Sequence, residues 1–203
     1  MAQQMVAQHA PFPRIAATVV LFFAILLSGC GVNVIPTKEE QAKAAWSEVQ
    51  NQYQRRAELI PNLVETVRGY ATQEREVLTQ VTEARAKATQ TQVNADQLTD
   101  PEAIRRFQEA QAQLSGALGR LLAISENYPD LKSNQNFLAL QSQLEGTENR
   151  IAVARRDYIG SVQSYNTEVR TFPGRLWATV YGAKPMASFT TTEANQQAPR
   201  VQF

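Results

Sequence analysis

The feature that most limits how this chain can fold is the spacing of its apolar residues. Across residues 37–90 they recur at steps of three and four, which places them on one face of a helix. The residues of this stripe are Trp46, Val49, Tyr53, Ile60, Leu63, Val67, Tyr70, Val77 and Val81. The phase does not slip at Pro61, which favours one long helix kinked at Pro61. Two helices that are separated there are the alternative.

Two further helices are predicted after a polar, aperiodic linker over residues 91–99. Asp100 is a candidate N-cap with Pro101 at the first helical position, and this helix should end near Pro129. The third helix is expected to begin at a Ser133 cap and to run to about Phe172.

Glycines at two positions of the second helix, Gly116 and Gly119, lower its propensity. They suggest that another backbone comes close there.

Amphipathic helices with short links must bury their stripes against one another. The predicted fold is therefore an all-α antiparallel bundle of three to four long helices over residues 37–183. Residues 175–183 form a short apolar segment that packs on one end of the bundle or touches the membrane. Residues 184–203 are rich in serine, threonine, glutamine and alanine, and are expected to form a disordered tail.

The amino-terminal region has the plan of a signal peptide. Residues 1–14 carry one positive charge and no acidic residue, and residues 15–27 carry no charge. As a helix the second segment would rise about 20 Å, which is short of the hydrocarbon core of about 30 Å. We therefore expect residues 1–29 to be removed.

The single cysteine of the chain lies where this hydrophobic segment ends. Leu27, Ser28, Gly29 and Cys30 resemble a bacterial lipobox, in which the cysteine thiol receives diacylglycerol and the peptide bond before it is cut. Cys30 is thus the predicted lipid attachment site, and residues 30–36 a lipidated tether. The alternative is an incidental cysteine at the end of a short membrane anchor.

Processing at Cys30 would remove the chemistry that many enzymes need. The only histidine is His9, so the mature chain would have neither histidine nor a free thiol. Histidine-dependent triads, thiolate nucleophiles and imidazole metal sites are excluded by composition, and we expect no catalytic residue, metal or cofactor. Loss of Arg14 leaves as many basic residues as the 19 acidic ones. This balance argues against nucleic acid as a partner.

Charged residues interrupt the apolar stripe of the third helix. Glu148 and Arg155 are two turns apart on the same side, and Arg56 and Arg120 on the other helices are candidate partners. They form either a buried polar layer that fixes helix register or a set of solvated charges. Both readings stay open at this point.

Several blocks resemble the LemA family: QRRAELIPNLVETVRGYA (54–71), VTEARAKA (81–88), the run at 117–155 that includes LEGTENRIAVAR, and YN followed by FPG at 165–174. The resemblance implies a membrane-attached helical bundle without established enzymatic activity or agreed catalytic residues. It also implies an association with TPM-type membrane proteins or HtpX-type proteases. Many members keep an amino-terminal membrane helix, so the lipobox is a departure in anchoring.

Two functional classes are open. The first is a non-catalytic scaffold or adaptor of the bacterial cell envelope, facing the periplasm or the exterior. Gly31, rather than aspartate, after the cysteine favours the outer membrane in a two-membrane host. The second is a carboxylate-dependent peptidoglycan hydrolase, which needs paired acids in an aromatic cleft. The acids here lie mostly within predicted helices, so the adaptor is preferred.

Overall fold

A computed structural model describes residues 31–189, and over this range the regular secondary structure is all helical, without strands. In chain order the elements are α1 (Val34–Tyr70), α2 (Arg75–Gln90), a 3-10 helix (Ala95–Thr99), α3 (Pro101–Ser125), α4 (Pro129–Lys132), α5 (Gln135–Arg170) and α6 (Gly174–Tyr181). The predicted all-α class is confirmed.

The two longest helices, α1 and α5, form an antiparallel pair. Near one end Lys38 Nζ donates to Ser164 Oγ at 2.9 Å. Near the other end Asn134 Nδ2, at the cap of α5, donates to Tyr70 Oη at 2.8 Å. With 37 residues α1 is about 55 Å long, so the pair forms the long axis of the bundle.

The second pair, α2 and α3, is also antiparallel and packs on the first. Lys87 Nζ donates to Gln113 Oε1 at 2.9 Å, and Tyr128 Oη, just after α3, donates to Glu74 Oε1 at 3.0 Å. The four helices α1, α2, α3 and α5 thus make the predicted antiparallel bundle.

Pro61 lies inside α1, which continues across it without a break. A proline has no N–H, so the carbonyl of Ala57 one turn earlier lacks its helical donor. Arg85 Nε on α2 donates to this carbonyl at 2.7 Å. Pro61 therefore leaves the Ala57 carbonyl free to accept a hydrogen bond from α2. The alternative of two helices separated at Pro61 is wrong.

The first helix ends earlier than its apolar pattern indicated. The stripe continues to Val81, yet the chain reverses after Tyr70, and α2 begins at Arg75. At the turn the buried Ala71 N–H donates to Val67 O at 2.8 Å. The three- and four-residue spacing of apolar residues continues from α1 into α2 because both helices bury an apolar face in the same core. The turn between them happens to keep this spacing, so the sequence pattern does not mark the reversal.

The cap of α3 is as predicted, whereas the start of α5 is shifted. The Glu102 N–H donates to Asp100 Oδ1 at 2.9 Å, with Pro101 first in the helix. The cap of α5 is Asn134 rather than Ser133, because the Asn134 side chain accepts from the Phe137 N–H at 3.0 Å. The short helix α4 occupies the residues just before it.

The two glycines of α3 do not mark a close approach of backbones. No atom beyond the neighbouring turns of α3 itself would lie within 4 Å of a Cβ placed at Gly116 or Gly119. Both residues are exposed on the outer face of the helix. The expectation of a neighbouring backbone there is therefore wrong.

Residues 184–189, here called the strap, lie on the bundle although the tail was expected to begin at Lys184. Met186 and Phe189 are buried. Asn166 exchanges two hydrogen bonds of 2.8 Å with the Met186 backbone. Tyr165 Oη and Tyr158 Oη donate to the carbonyls of Lys184 and Ala187, and the Ala187 N–H donates to Leu98 O. Hydrogen bonds with α5 and with Leu98, together with the burial of Met186 and Phe189, thus order this segment. Residues 190–203 lie outside the described part.

The interior consists of two apolar clusters arranged along α1. The first surrounds Trp46 and Tyr158 and includes the strap. The second surrounds Leu63 and Leu121 at the end where α1 meets α2 and α4. The residues of α1 in the first cluster end at Tyr53, and those in the second begin at Ile60. Between the two clusters the buried residues of α1 are Arg56 and Ala57, so a charged side chain separates them.

Pro61→Ala should preserve the fold and reduce the dependence on Arg85. In the natural chain, Arg85→Ala leaves the buried Ala57 carbonyl unpaired and should cost about 1–3 kcal/mol. In the Pro61→Ala background the residue 61 N–H satisfies that carbonyl, so the same substitution should cost less. Urea unfolding of the four proteins of this double-mutant cycle measures the difference. Arg75→Ala, at an exposed site on α2, is the control, and equal losses in both backgrounds would contradict the role of Pro61.

Candidate functional site

The polar region between the two apolar clusters is built around Arg56. Its side chain is 1% exposed. Nη1 donates to Ser115 Oγ at 2.9 Å and to Glu148 Oε1 at 2.8 Å. Nη2 donates to Gln111 at its side-chain oxygen, at 2.6 Å, and at its carbonyl, at 3.3 Å. Arg56, Gln111, Ser115 and Glu148, here called the Arg56 cluster, thus connect α1, α3 and α5.

The cluster also reaches the fourth long helix and the aromatic core. Gln111 Nε2 donates to the carbonyl of Ala88 on α2 at 3.3 Å. The guanidinium carbon of Arg56 lies 4.9 Å from the centre of the Tyr53 ring. A single buried arginine is therefore linked directly or through Gln111 to every long helix of the bundle.

The ion pair within the cluster is asymmetric. The Arg56 side chain is buried, whereas the Glu148 side chain is 44% exposed. Water can solvate one side of the carboxylate, so the desolvation cost falls mainly on the guanidinium. The amide, hydroxyl and carbonyl oxygens offset this cost at Nη1 and Nη2, whereas Arg56 Nε is buried without a partner in the described chain. The arrangement fixes the relative positions of three helices and offers no paired acid for general acid-base chemistry.

Of the other two residues predicted for a polar layer, Arg155 lies near the cluster and Arg120 lies away from it. The guanidinium carbon of Arg155 is 4.6 Å from the centre of the Phe189 ring in the strap. Burial raises the pKa of the Tyr53 hydroxyl, and the charges of Arg155 and Arg56 oppose that rise. Arg120 is exposed on α3, so the structure does not bring it into the layer.

Sequence reasoning missed Gln111 and Ser115. A usable signal existed for Gln111, since it falls between Phe107 and Leu114 at steps of four and three on the buried face of α3. A glutamine at a stripe position indicates a polar partner inside the bundle. No comparable pattern marks Ser115.

A cleft opens beside the cluster between α1, α2 and α3. Its volume is about 260 Å³, and Tyr53 and Phe107 contribute aromatic surface to it. Its remaining walls carry mainly amides and hydroxyls, from Gln50, Asn51, Gln54, Thr89, Thr91, Gln92 and Gln111. These groups form hydrogen bonds and supply neither a nucleophile with a base nor a metal-ligand set. Over residues 31–189 no three histidine, cysteine or acidic side chains are grouped as metal ligands would be.

The predicted lipobox, Leu27, Ser28, Gly29 and Cys30, lies outside the described residues, which begin at Gly31. None of the helices from α1 to α6 combines the length and apolar content that a membrane span requires.

Arg56→Ala and Glu148→Gln should differ strongly in their effect on stability. The first leaves a cavity and removes the donor from buried Gln111, and should cost at least about 3 kcal/mol. The second keeps an acceptor for Arg56 at a half-exposed site and should cost about 1 kcal/mol. Urea unfolding followed by circular dichroism measures both, with Glu145→Gln one turn away on the exposed face of α5 as the control. Equal losses for Arg56→Ala and Glu148→Gln would contradict the asymmetry of the pair.

Comparison with known proteins gives a family and several relatives. The model of the LemA family matches residues 45–203. Magnetosome protein MamQ 2 of Paramagnetospirillum magneticum is 28% identical over 192 residues, covering 87% of this chain and 70% of its own. Magnetosome protein MamQ of Magnetospirillum gryphiswaldense is 27% identical, covering 77% of this chain and 64% of its own. Protein LemA of Metamycoplasma hominis is 26% identical, covering 69% of this chain and 60% of its own.

The names of these relatives describe no enzymatic activity. The family match begins in α1 and extends through α6, the strap and the residues beyond. It therefore includes most of α1, the other three long helices of the bundle and the Arg56 cluster. On this match, which spans well over half of the sequence, the chain belongs to the LemA family.

Proposed function

We propose that the protein is a non-catalytic scaffold or adaptor of the bacterial cell envelope, anchored to a membrane by lipid at Cys30. The observation that supports the scaffold role is that the polar side chains inside the bundle make hydrogen bonds between its helices or to the strap. Arg56 and Gln111 join the four long helices, and Tyr158, Tyr165 and Asn166 hold the strap. Each of these side chains uses its polar atoms to connect segments of the chain to one another.

The anchor is supported by the sequence around Cys30. A small pair, Ser28 and Gly29, separates Leu27 from the cysteine, and an uncharged segment precedes them. Diacylglycerol on the thiol and an acyl chain such as palmitate on the new amino terminus would give two lipid signals, which hold a protein stably on a bilayer. The bundle would face the periplasm or the cell exterior, on the outer membrane where the host has two membranes.

Partners in this proposal are other membrane proteins that contact the outer faces of the bundle. A TPM-type membrane protein or an HtpX-type protease fits the resemblance described above. The faces available for such contacts include the exposed surface of α2 and α3, since α1 and α5 bury much of their surface against each other. Neither nucleic acid nor a cofactor enters the proposal.

Cys30→Ser should leave an uncleaved precursor without lipid. Cys30 is the only cysteine in the chain, so thioether-linked lipid has no other position. Metabolic labelling with an alkyne fatty acid and intact mass of the purified protein measure processing and lipidation. Ser28→Ala keeps a small residue at that position and should be processed normally. A Cys30→Ser protein that is still cleaved and labelled would place the lipid elsewhere.

Crosslinking in cells should yield a reproducible membrane-protein partner that is lost with Cys30→Ser. Glu148→Gln should weaken that crosslink only as far as it lowers stability, because its carboxylate serves Arg56. Glu145→Gln, on the same helix, controls for loss of a surface charge. Peptidoglycan digestion by the purified processed protein is assayed in parallel. Turnover that is abolished by a single carboxylate substitution without loss of helicity would overturn the scaffold in favour of the hydrolase.

A further inference from the structure

One end of the bundle carries an apolar surface that the rest of the described chain leaves uncovered. It consists of Phe172, Leu176, Val180 and Tyr181, here called the α6 patch, whose exposed fractions are 82%, 60%, 72% and 46%. Leu176 and Val180 are four residues apart and so lie on one side of α6. Phe172 lies just before the helix, at the turn that leads into it. Exposed apolar residues of α5, such as Leu138, Val153 and Ile159, are instead scattered along its length.

The α6 patch lies next to the point at which the described chain begins. Tyr181 Oη donates to the Val32 carbonyl at 3.1 Å. The Gly31 backbone lies against Trp177, so that a Cβ on residue 31 would be 3.3 Å from the indole nitrogen. Residues 31 and 32 are therefore fixed against α6.

The residues before Gly31 are those that the proposed function assigns to the membrane. Cys30 is one residue away, and consecutive Cα atoms are about 3.8 Å apart. The inference rests on that proposed membrane attachment, because anchoring at Cys30 brings the bilayer surface to α6. An anchor elsewhere in the chain would not impose this proximity.

The charges around the patch match a bacterial bilayer. Residues 170–189 include Arg170, Arg175 and Lys184 and no acidic residue. All three cations are exposed. The nearby carboxylate of Glu168, beside Gly174 at the start of α6, is paired with Lys38 at 3.7 Å. Cationic side chains attract anionic headgroups, and tyrosine and tryptophan favour the boundary between headgroups and acyl chains. An apolar face with cations around it is the composition of helices that lie in a membrane interface.

We propose that the α6 patch is a membrane-contact surface that enters the interface of the anchoring bilayer and holds the α6 end of the bundle against it. The lipid at Cys30 supplies the attachment, and the patch supplies the orientation. Trp177 is half-buried between Gly31 and the bundle, so its indole lies close to the lipid in this arrangement.

The two tryptophans of the chain make the proposal measurable. Processed, lipidated protein is reconstituted in vesicles of phosphatidylethanolamine and phosphatidylglycerol that contain brominated phosphatidylcholine, which quenches tryptophan fluorescence at short range. Trp177 should be quenched. Trp46 is 1% exposed in the core and should not be. Trp177→Phe reports Trp46 alone and should lose the quenching.

Flotation of the vesicles separates failure of the anchor from failure of the patch. Protein that floats with the vesicles but is not quenched overturns the α6 patch and leaves the tether standing. Protein that does not float overturns both. Blue-shifted Trp177 emission without quenching, the result expected if a protein covers the patch, also overturns the proposal.

A matched pair of triple variants tests the side chains themselves. Phe172→Ser with Leu176→Ser and Val180→Ser should still float but lose most of the Trp177 quenching. Leu138→Ser with Val153→Ser and Ile159→Ser removes apolar groups exposed elsewhere and should keep both properties. Circular dichroism checks that helix content is unchanged. Quenching that persists in the first variant would overturn the proposal, and its loss in the first variant alone supports it.

Discussion

The buried guanidinium of Arg56 is the constraint on which the rest of this bundle depends. Apolar stripes alone allow helices to slide by one turn, since each stripe offers similar surface at successive turns. A charge buried among Gln111, Ser115 and Glu148 does not allow this, because a shift of one turn would leave it without acceptors. The layer between the two apolar clusters thus selects one register for α1, α3 and α5.

A second device joins helices by means of backbone acceptors. Pro61 removes a donor from α1, and Arg85 of α2 uses the carbonyl that becomes available. Likewise, Tyr158 and Tyr165 donate to carbonyls of the strap, an irregular segment that has no helical bonds of its own. These contacts satisfy buried backbone groups that would otherwise destabilise the fold. They explain how a bundle with a proline inside its longest helix and an irregular segment on its surface stays well packed.

The sequence predicted the features that apolar periodicity and helix capping determine. It did not predict the features that depend on contacts between distant segments. The long helices, the Asp100 cap and the continuity of α1 across Pro61 follow from local rules. The reversal after Tyr70 left no signal, since the apolar phase continues into α2. The sequence predicts a disordered strap because the hydrogen bonds that order it come from residues of α5, which are distant in the sequence. The structure pairs Glu148 with Arg56, one of its two candidate partners. Arg120, the other candidate, lies one residue off the stripe of Leu118 and Leu121 and therefore points to solvent.

The blocks that carry the family resemblance coincide with these structural contacts. QRRAELIPN contains Arg56, Ala57 and Pro61, and VTEARAKA contains Arg85. LEGTENRIAVAR contains Glu148 and Arg155, and YN supplies Tyr165 and Asn166 to the strap. In FPG a Cβ on Gly174 would lie 2.3 Å from the Glu168 carbonyl, so only glycine fits the turn into α6. Contacts inside the bundle or with the strap thus account for residues in each of these blocks of this chain. In the proposed adaptor, a partner would contact the exposed faces between these blocks, because the side chains discussed here are used within the bundle.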